Sequence, residues 1–184
     1  MNYLLIFLLL TSIKNEKEVY KKIKKFYLNL KTITGTFTQR ECDEKSGVCL
    51  EFRGKFYLKK PNYLRLSIEE PEKGLIIADG ESLYFYYPQD SLIQKYPINQ
   101  FNPFLIFFQI MSDTVFPQME EKGKKYYLLT FSLPNYRLNL QLRKKDFLVE
   151  KIKYEWEKRD LEILLYSQKI NPPLNDTLFK KIKK

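Results

Sequence analysis

The sequence predicts a single α+β domain that consists mainly of antiparallel β-strands. Three observations carry this prediction. Much of the 184-residue chain falls into short segments in which apolar and polar side chains alternate, the pattern of a half-buried strand. Tight turns join successive segments of this kind, as in an antiparallel meander. One amphipathic helix and one almost wholly apolar helix can cover the apolar face that such a sheet must bury.

The amphipathic helix is predicted at residues 15–31. Asn15 and Glu18 have the spacing of a capping box, so we expect the helix to begin at Asn15. A basic helix of this kind can lie on a membrane, but such a stripe more often packs on the sheet of its own domain. The apolar stripe, at helical spacing and with lysines elsewhere, consists of Val19, Ile23, Phe26, Tyr27 and Leu30.

The strand pattern occurs in two groups of segments. The first group occupies residues 48–59, 64–68, 75–77 and 83–87, with a hairpin turn at Asp79-Gly80. The second group occupies residues 126–133, 136–142, 148–156 and 161–165, with a turn at Pro134-Asn135. We expect each segment to pair with its neighbour along the chain.

A second helix is predicted between the two groups of strands. Asn102 and Pro103 have the residue types of an N-cap and a first helical position. The residues that follow, up to Met111, are apolar on nearly every side. A surface helix has a polar face, so this helix is either sandwiched within the protein or part of a site that opens.

The N-terminus carries an apolar block from Tyr3 to Leu10. It is shorter than the roughly 20 residues that a membrane-spanning helix needs, but it has the length of a signal-peptide core. We therefore predict a signal peptide at residues 1–13 and one domain at residues 14–184. A buried first strand is the alternative interpretation.

Composition excludes several classes of enzyme. The chain has no histidine, two cysteines and six glycines, which rules out histidine-containing triads, histidine metal sites and four-cysteine zinc clusters. The glycine-rich loops that hold nucleotide phosphates are also missing. We expect no catalytic residue, no metal and no cofactor. The net charge of +10 favours an anionic partner, but nucleic acid, anionic lipid and acidic proteins would all satisfy it.

Two cysteines flank a polar, turn-like segment. Cys42 and Cys49 lie at the facing ends of two predicted strands, with residues 43–48 between them. A disulfide across the hairpin end and two unpaired thiols are both compatible with the sequence.

Several short motifs resemble one family in both content and order. Their positions are Phe37-Thr38-Gln39, Gly54 to Pro61, Ile77 to Gly80, Leu83 to Pro88 and Asn102-Pro103-Phe104. Together they resemble the periplasmic outer-membrane lipoprotein carrier proteins (LolA-like). The resemblance implies a strongly curved antiparallel sheet that forms an incomplete β-barrel, with the N-terminal helix and a short lid helix over its concave hydrophobic face.

The family resemblance also implies a site. The barrel would enclose a hollow that its own inner side chains do not fill, closed by the lid. The implied lining consists of Phe37, Phe52, Phe56, Leu58, Leu64, Leu66, Ile68, Leu83 and Phe85, and the implied lid of Pro103, Phe104, Phe107, Phe108 and Met111. Lys60 stands where the family has an arginine that ties the lid to the barrel through backbone carbonyls. Lysine keeps the charge but lacks the planar fork of donors.

The function implied by the resemblance is that of a periplasmic carrier. Such a protein shields the acyl chains of lipoproteins and shuttles them from the inner to the outer membrane. Its expected partners are acylated lipoproteins, an ATP-driven inner-membrane transporter and an outer-membrane acceptor; we expect a monomer and no bound nucleic acid. Two alternatives are a lipid or lipoprotein sensor on the same fold and a basic nucleic-acid-binding β-domain, in which exposed tyrosines would stack on bases.

Overall fold

The computed structural model describes residues 3–43, 45–90, 92–98, 104–105, 111, 116–156 and 159–180. Within these residues, one long helix precedes eleven strands and two short 3₁₀-helices, and residues 104–105 and 111 are also helical. The elements are helix α1 (Tyr3–Asn29) and strands β1 (Thr32–Asp43), β2 (Cys49–Lys59), β3 (Tyr63–Glu70), β4 (Gly74–Asp79), β5 (Ser82–Tyr87), β6 (Leu92–Pro97), β7 (Gln118–Lys122), β8 (Tyr126–Leu133), β9 (Tyr136–Arg143), β10 (Val149–Trp156) and β11 (Arg159–Ile170). The 3₁₀-helices are Pro88–Asp90 and Asp176–Phe179.

The strands of the described chain form one antiparallel sheet. Its order is β6-β5-β4-β3-β2-β1-β11-β10-β9-β8-β7. The first and last strands are therefore neighbours at the centre, and β6 and β7 are the two edges. In the part of the chain described, these two edges are not paired with each other, so the curved sheet does not close into a complete barrel. The predicted incomplete barrel is confirmed.

Local irregularities bend the strands. The register shifts between Thr34 and Thr36 in β1 and between Val149 and Lys151 in β10, and bulges of this kind increase bend and twist. A third shift occurs at Gly54 in β2. A Cβ atom on Gly54 would lie 2.1 Å from the carbonyl oxygen of Ser67, so the close approach of β3 requires glycine there.

Helix α1 packs its apolar stripe into the sheet. Ile23, Tyr27 and Leu30 are almost fully buried in the same hydrophobic cluster as the inward side chains of the strands. The helix begins at Tyr3, so the prediction that it starts at Asn15 is wrong. The preceding turns of helix supply backbone hydrogen-bond partners at Asn15, and no cap is needed there.

The C-terminal 3₁₀-helix lies against β3. Arg65 donates a hydrogen bond to the carbonyl oxygen of Leu178 (3.1 Å), and the rings of Tyr63 and Phe179 lie 5.7 Å apart. Tyr63 and Arg65 alternate with the inward Leu64 and Leu66 along the strand, so this segment covers the outer face of the sheet.

Sequence reasoning missed the two edge strands, β6 and β7. An edge strand has a partner on one side alone, and little of it is buried. Met119 is the one buried side chain along β7, so no apolar alternation marks the segment. In the residues that the structure describes, no helix combines the length and apolar character needed to cross a membrane.

Candidate functional site

The concave face of the sheet gathers all nine predicted lining residues into one hydrophobic cluster. Six are buried and three are half-buried against the same cluster. The buried residues are Phe37, Phe56, Leu58, Leu64, Leu66 and Leu83, and the half-buried ones are Phe52, Ile68 and Phe85. They come from β1, β2, β3 and β5, and the curvature of the sheet points their side chains toward a common centre.

The second half of the chain completes the interior, and sequence reasoning did not assign it to the site. Alternate residues of β8 to β11 are buried in the same cluster. The alternation of these strands was visible in the sequence, but their motifs did not resemble the family, so only the periodicity marked them. The additional buried residues include Leu129, Phe131, Leu138, Leu140, Leu142, Ile152, Ile163 and Leu165.

Two of the predicted lid residues are buried in the same hydrophobic cluster. Phe104 and Met111 are helical and each is 2% exposed. The ring centre of Phe104 lies 5.7 Å from those of both Phe37 and Phe56, so Phe104 packs on the inner face of the adjacent strands β1 and β2. The other predicted lid residues, Pro103, Phe107 and Phe108, lie outside the described residues.

The interior contains a small apolar cavity. Its volume is about 20 Å³, roughly the space of one water molecule. The side chains around it come from α1, both halves of the sheet and the lid: Tyr27, Ile33, Phe56, Leu58, Phe104, Val149, Ile152, Leu165 and Gln168. Phe104 and α1 thus occupy most of the interior over the inner face of the sheet.

Tyr27 is a buried polar residue in the lining of this cavity. Its hydroxyl donates a hydrogen bond to the carbonyl oxygen of Phe147 (2.8 Å) and accepts one from the backbone N–H of Val149 (3.1 Å). Burial raises the pKa of Tyr27 well above its ordinary value, because the phenolate would lose its hydration. The two hydrogen bonds fix the end of α1 to β10.

Lys60 contacts the other side of the same helix end. Its ammonium donates hydrogen bonds to the carbonyl oxygens of Tyr27 and Leu28, the latter at 3.2 Å. A cation at a helix C-terminus satisfies carbonyls that have no helical partner. Burial lowers the pKa of Lys60. These contacts tie α1 to the sheet; the predicted contact of Lys60 with the lid helix stays a prediction.

Cys42 and Cys49 form a disulfide in this structure. The bond joins opposite residues of β1 and β2 at the end of their hairpin. In the turn, the Asp43 carboxylate accepts hydrogen bonds from the backbone N–H groups of Lys45 and Ser46. Neither cysteine lines the interior cavity.

Positive charge collects at two neighbouring hairpin ends. The β7–β8 and β9–β10 turns enclose a surface groove of about 570 Å³. Its cationic residues are Lys124, Lys125, Arg143, Lys144 and Lys145. Lys144 forms an ion pair with Glu121 and lies over the ring of Tyr127 at 5.0 Å. In the described part of the chain, no group of histidine, cysteine or carboxylate side chains could hold a metal ion.

Comparisons with known proteins agree with this architecture. The outer-membrane lipoprotein carrier protein of Haemophilus ducreyi is 50% identical over 36 residues, which are 20% of this chain and 17% of that protein. The protein of the same name from Histophilus somni is 38% identical over 56 residues, 30% of this chain and 28% of that protein. The chain thus aligns with less than a third of the length of these curated relatives.

The fold and the family are supported over a much longer span. The crystal structure of a LolA superfamily protein from Nitrosomonas europaea superposes with a TM-score of 0.54 at 14% identity, covering 90% of this chain and 97% of that one. The family model described as "Outer membrane lipoprotein carrier protein LolA" matches residues 28–181. The chain therefore belongs to the LolA family of outer membrane lipoprotein carrier proteins.

Proposed function

We propose that this protein is a periplasmic carrier that binds the acyl chains of lipoproteins inside the curved sheet and shuttles them from the inner to the outer membrane. The observation that supports the proposal best is the position of Phe104. A predicted lid side chain, rather than a side chain of the sheet, packs against the rings of both Phe37 and Phe56. An apolar inner face that is covered by a separate lid can bind a ligand in place of that lid.

The energetics favour a ligand with long hydrocarbon chains. Each methylene moved out of water contributes about 0.8 kcal/mol, so a chain of about 16 carbons gains on the order of 12 kcal/mol. Pockets for small ligands typically measure about 300–1,000 Å³, whereas the closed interior holds about 20 Å³. The lid must therefore leave before a chain is bound. Its displacement offsets part of the transfer free energy, and the reduced net affinity permits release.

Transport requires a donor and an acceptor at the two membranes. In this proposal an ATP-driven transporter in the inner membrane loads the carrier, and an outer-membrane acceptor receives the lipoprotein. The groove around Lys124, Lys125, Lys144 and Lys145 offers a positive surface for acidic patches on such partners. Complementary charge would speed the encounter more than it would strengthen the complex.

The binding step can be tested with liposomes that contain a triacylated lipopeptide. The protein is incubated with the liposomes, the liposomes are sedimented, and the lipopeptide that remains in solution with the protein is measured. The wild type is compared with Leu66→Glu, which places a carboxylate on the buried inner face, and with Ser67→Glu, which places it on the opposite face of the same strand. Ile68→Glu is a second inner-face variant at a half-buried position that accepts a charge more readily.

We expect the wild type and Ser67→Glu to solubilise the lipopeptide in proportion to protein concentration. Both inner-face variants should lose this activity while they keep the circular dichroism spectrum of a folded sheet. Equal solubilisation by wild type and a folded inner-face variant would refute the proposed binding surface. Failure of the wild type itself would refute the carrier function.

A further inference from the structure

The pairing between strands β10 and β11 stops before either strand ends. On one side, β11 pairs with β1 from Arg159 to Ile170, with a register shift that leaves Ser167 and Gln168 without a β1 partner. On its other side, it pairs with β10 only as far as Leu164, which lies opposite Lys151. Beyond this point, the sheet contains a gap between β10 and the last residues of β11.

At the gap, hydrogen bonds from side chains take the place of backbone hydrogen bonds between β10 and β11. The backbone N–H of Val149 donates to the Tyr27 hydroxyl (3.1 Å), and the carbonyl oxygen of Val149 accepts from Nε2 of Gln168 (2.7 Å). A buried backbone group must have a partner, and these two contacts supply partners to Val149, which pairs with β9 but not with β11. Ser167, with φ of 49°, marks the irregular course of β11 beside the gap.

The gap lies between two spaces. Outside it is a surface groove of about 510 Å³, formed by residues of β9, β10 and β11. Inside it is the apolar cavity of about 20 Å³. Leu165 and Gln168 line both spaces, so these two residues lie between the groove and the interior at the point where the β10–β11 ladder has stopped.

We propose that the gap between β10 and β11 is a side opening through which a single acyl chain reaches the interior, with Gln168 as its gate. This inference rests on the proposed function and adds a route to it. Turning Gln168 outward breaks its hydrogen bond to Val149 and leaves every pair of the sheet ladder intact. The adjoining groove is amphipathic, as a lipid in transit requires: Leu164 and Leu165 contact the hydrocarbon, while Arg143, Glu150 and Lys151 face the polar head.

A gate on the route of entry controls the rates of binding and release. Because the chain enters and leaves by the same route, an obstruction slows both association and dissociation. Gln168→Cys provides a place for such an obstruction. The native cysteines are joined to each other, so a maleimide will react with the introduced thiol alone. Ser132→Cys, at an exposed position of β8, is the matched labelling control.

The experiment measures binding of a fluorescent 16-carbon fatty acid by stopped flow, with the full-length protein unlabelled, labelled with a bulky maleimide, or labelled with a methylthio group. We expect the bulky group at residue 168 to slow both association and dissociation at least tenfold. The methylthio group at residue 168, and either label at residue 132, should leave both rates within threefold of those of the unlabelled protein. Gln168→Ala, which removes the gate, should raise both rates severalfold.

Unchanged rates after bulky labelling of residue 168 would overturn the side opening, as would a weaker affinity at an unchanged association rate. Either result would leave the proposed function standing, because the fatty acid would still bind. Absence of binding by the unlabelled wild type would refute the proposed function and the opening together.

Discussion

Truncation of the lid residue Phe104 should make the protein bind acyl chains more tightly and at the same time make it less stable without ligand. Phe104 is 2% exposed between Phe37 and Phe56. Replacing a buried phenylalanine by alanine typically costs about 3–5 kcal/mol. If the acyl chain displaces the lid, this cost falls on the closed form alone, because Phe104 has left the interior when a chain is bound.

The expected gain in affinity follows from that difference. If about 3 kcal/mol of closed-state stability is removed and the loaded state is unaffected, the dissociation constant falls by up to roughly 100-fold, since each 1.4 kcal/mol is tenfold. Equilibrium titration with a fluorescent fatty acid measures this change, and chemical denaturation measures the free energy of unfolding with and without ligand. We expect at least tenfold tighter binding, with a loss of unfolding free energy that ligand largely restores.

Phe179→Ala is the matched control. Phe179 is equally buried, at 2% exposed, but it packs on Tyr63 at the outer face of the sheet. Its truncation should lower the unfolding free energy by a similar amount and leave the affinity unchanged. Weaker or unchanged binding by Phe104→Ala, in protein shown to be folded, would mean that Phe104 does not compete with the acyl chain, and the displacement mechanism would be wrong.

Three further predictions concern stability. The folded-state pKa of Tyr27 is raised above the unfolded value of 10.0, so the stability that Tyr27 contributes is complete below pH 10 and is lost as the pH rises. The difference in unfolding free energy between wild type and Tyr27→Phe should therefore shrink above pH 10 by up to about 1.4 kcal/mol per pH unit. A constant difference from pH 8 to 11 would contradict the assignment. Gly54→Ala should lower the midpoint of thermal unfolding sharply, because the added Cβ atom would clash with the carbonyl group of Ser67. Gly74→Ala is the control and should change the midpoint little, because the nearest atom to its Cβ would be 3.4 Å away. Equal midpoints for the two variants would contradict the steric explanation of Gly54. Replacing Cys42 and Cys49 together by serine should lower the unfolding free energy by about 2–3 kcal/mol without changing acyl-chain affinity, and a binding defect in the folded double variant would show that the hairpin end contributes to the site.

The sequence predicted the fold wherever one face of an element is buried. β2, β3, β5 and β8 to β11 all carry a two-residue apolar period, and the structure confirms them as strands of an open, curved antiparallel sheet. The edge strands β6 and β7 were missed because an edge buries too little to impose a pattern. The start of α1 was misplaced, since a capping sequence is also tolerated inside a helix.

The site was predictable only in part. The periodicity of β2 and β3 identified Phe56, Leu64 and Leu66 as inward residues, but it did not indicate that the two halves of the sheet converge on one interior. That convergence depends on the pairing of β1 with β11, which are more than 100 residues apart in the chain. The roles of Tyr27 and Gln168 depend on long-range contacts with β10, and no local spacing in the sequence predicts these contacts.

The most direct test of acyl-chain binding inside the curved sheet is the location of a bound chain. Methyl-labelled protein in complex with a 16-carbon lipopeptide would be studied by NMR, with intermolecular NOEs assigned between acyl protons and leucine methyl groups. We expect NOEs to Leu58, Leu64 and Leu66 and loss of the close approach between the rings of Phe104 and Phe56. NOEs confined to the outer face of the sheet, with Phe104 still in place between Phe37 and Phe56, would contradict binding in the interior.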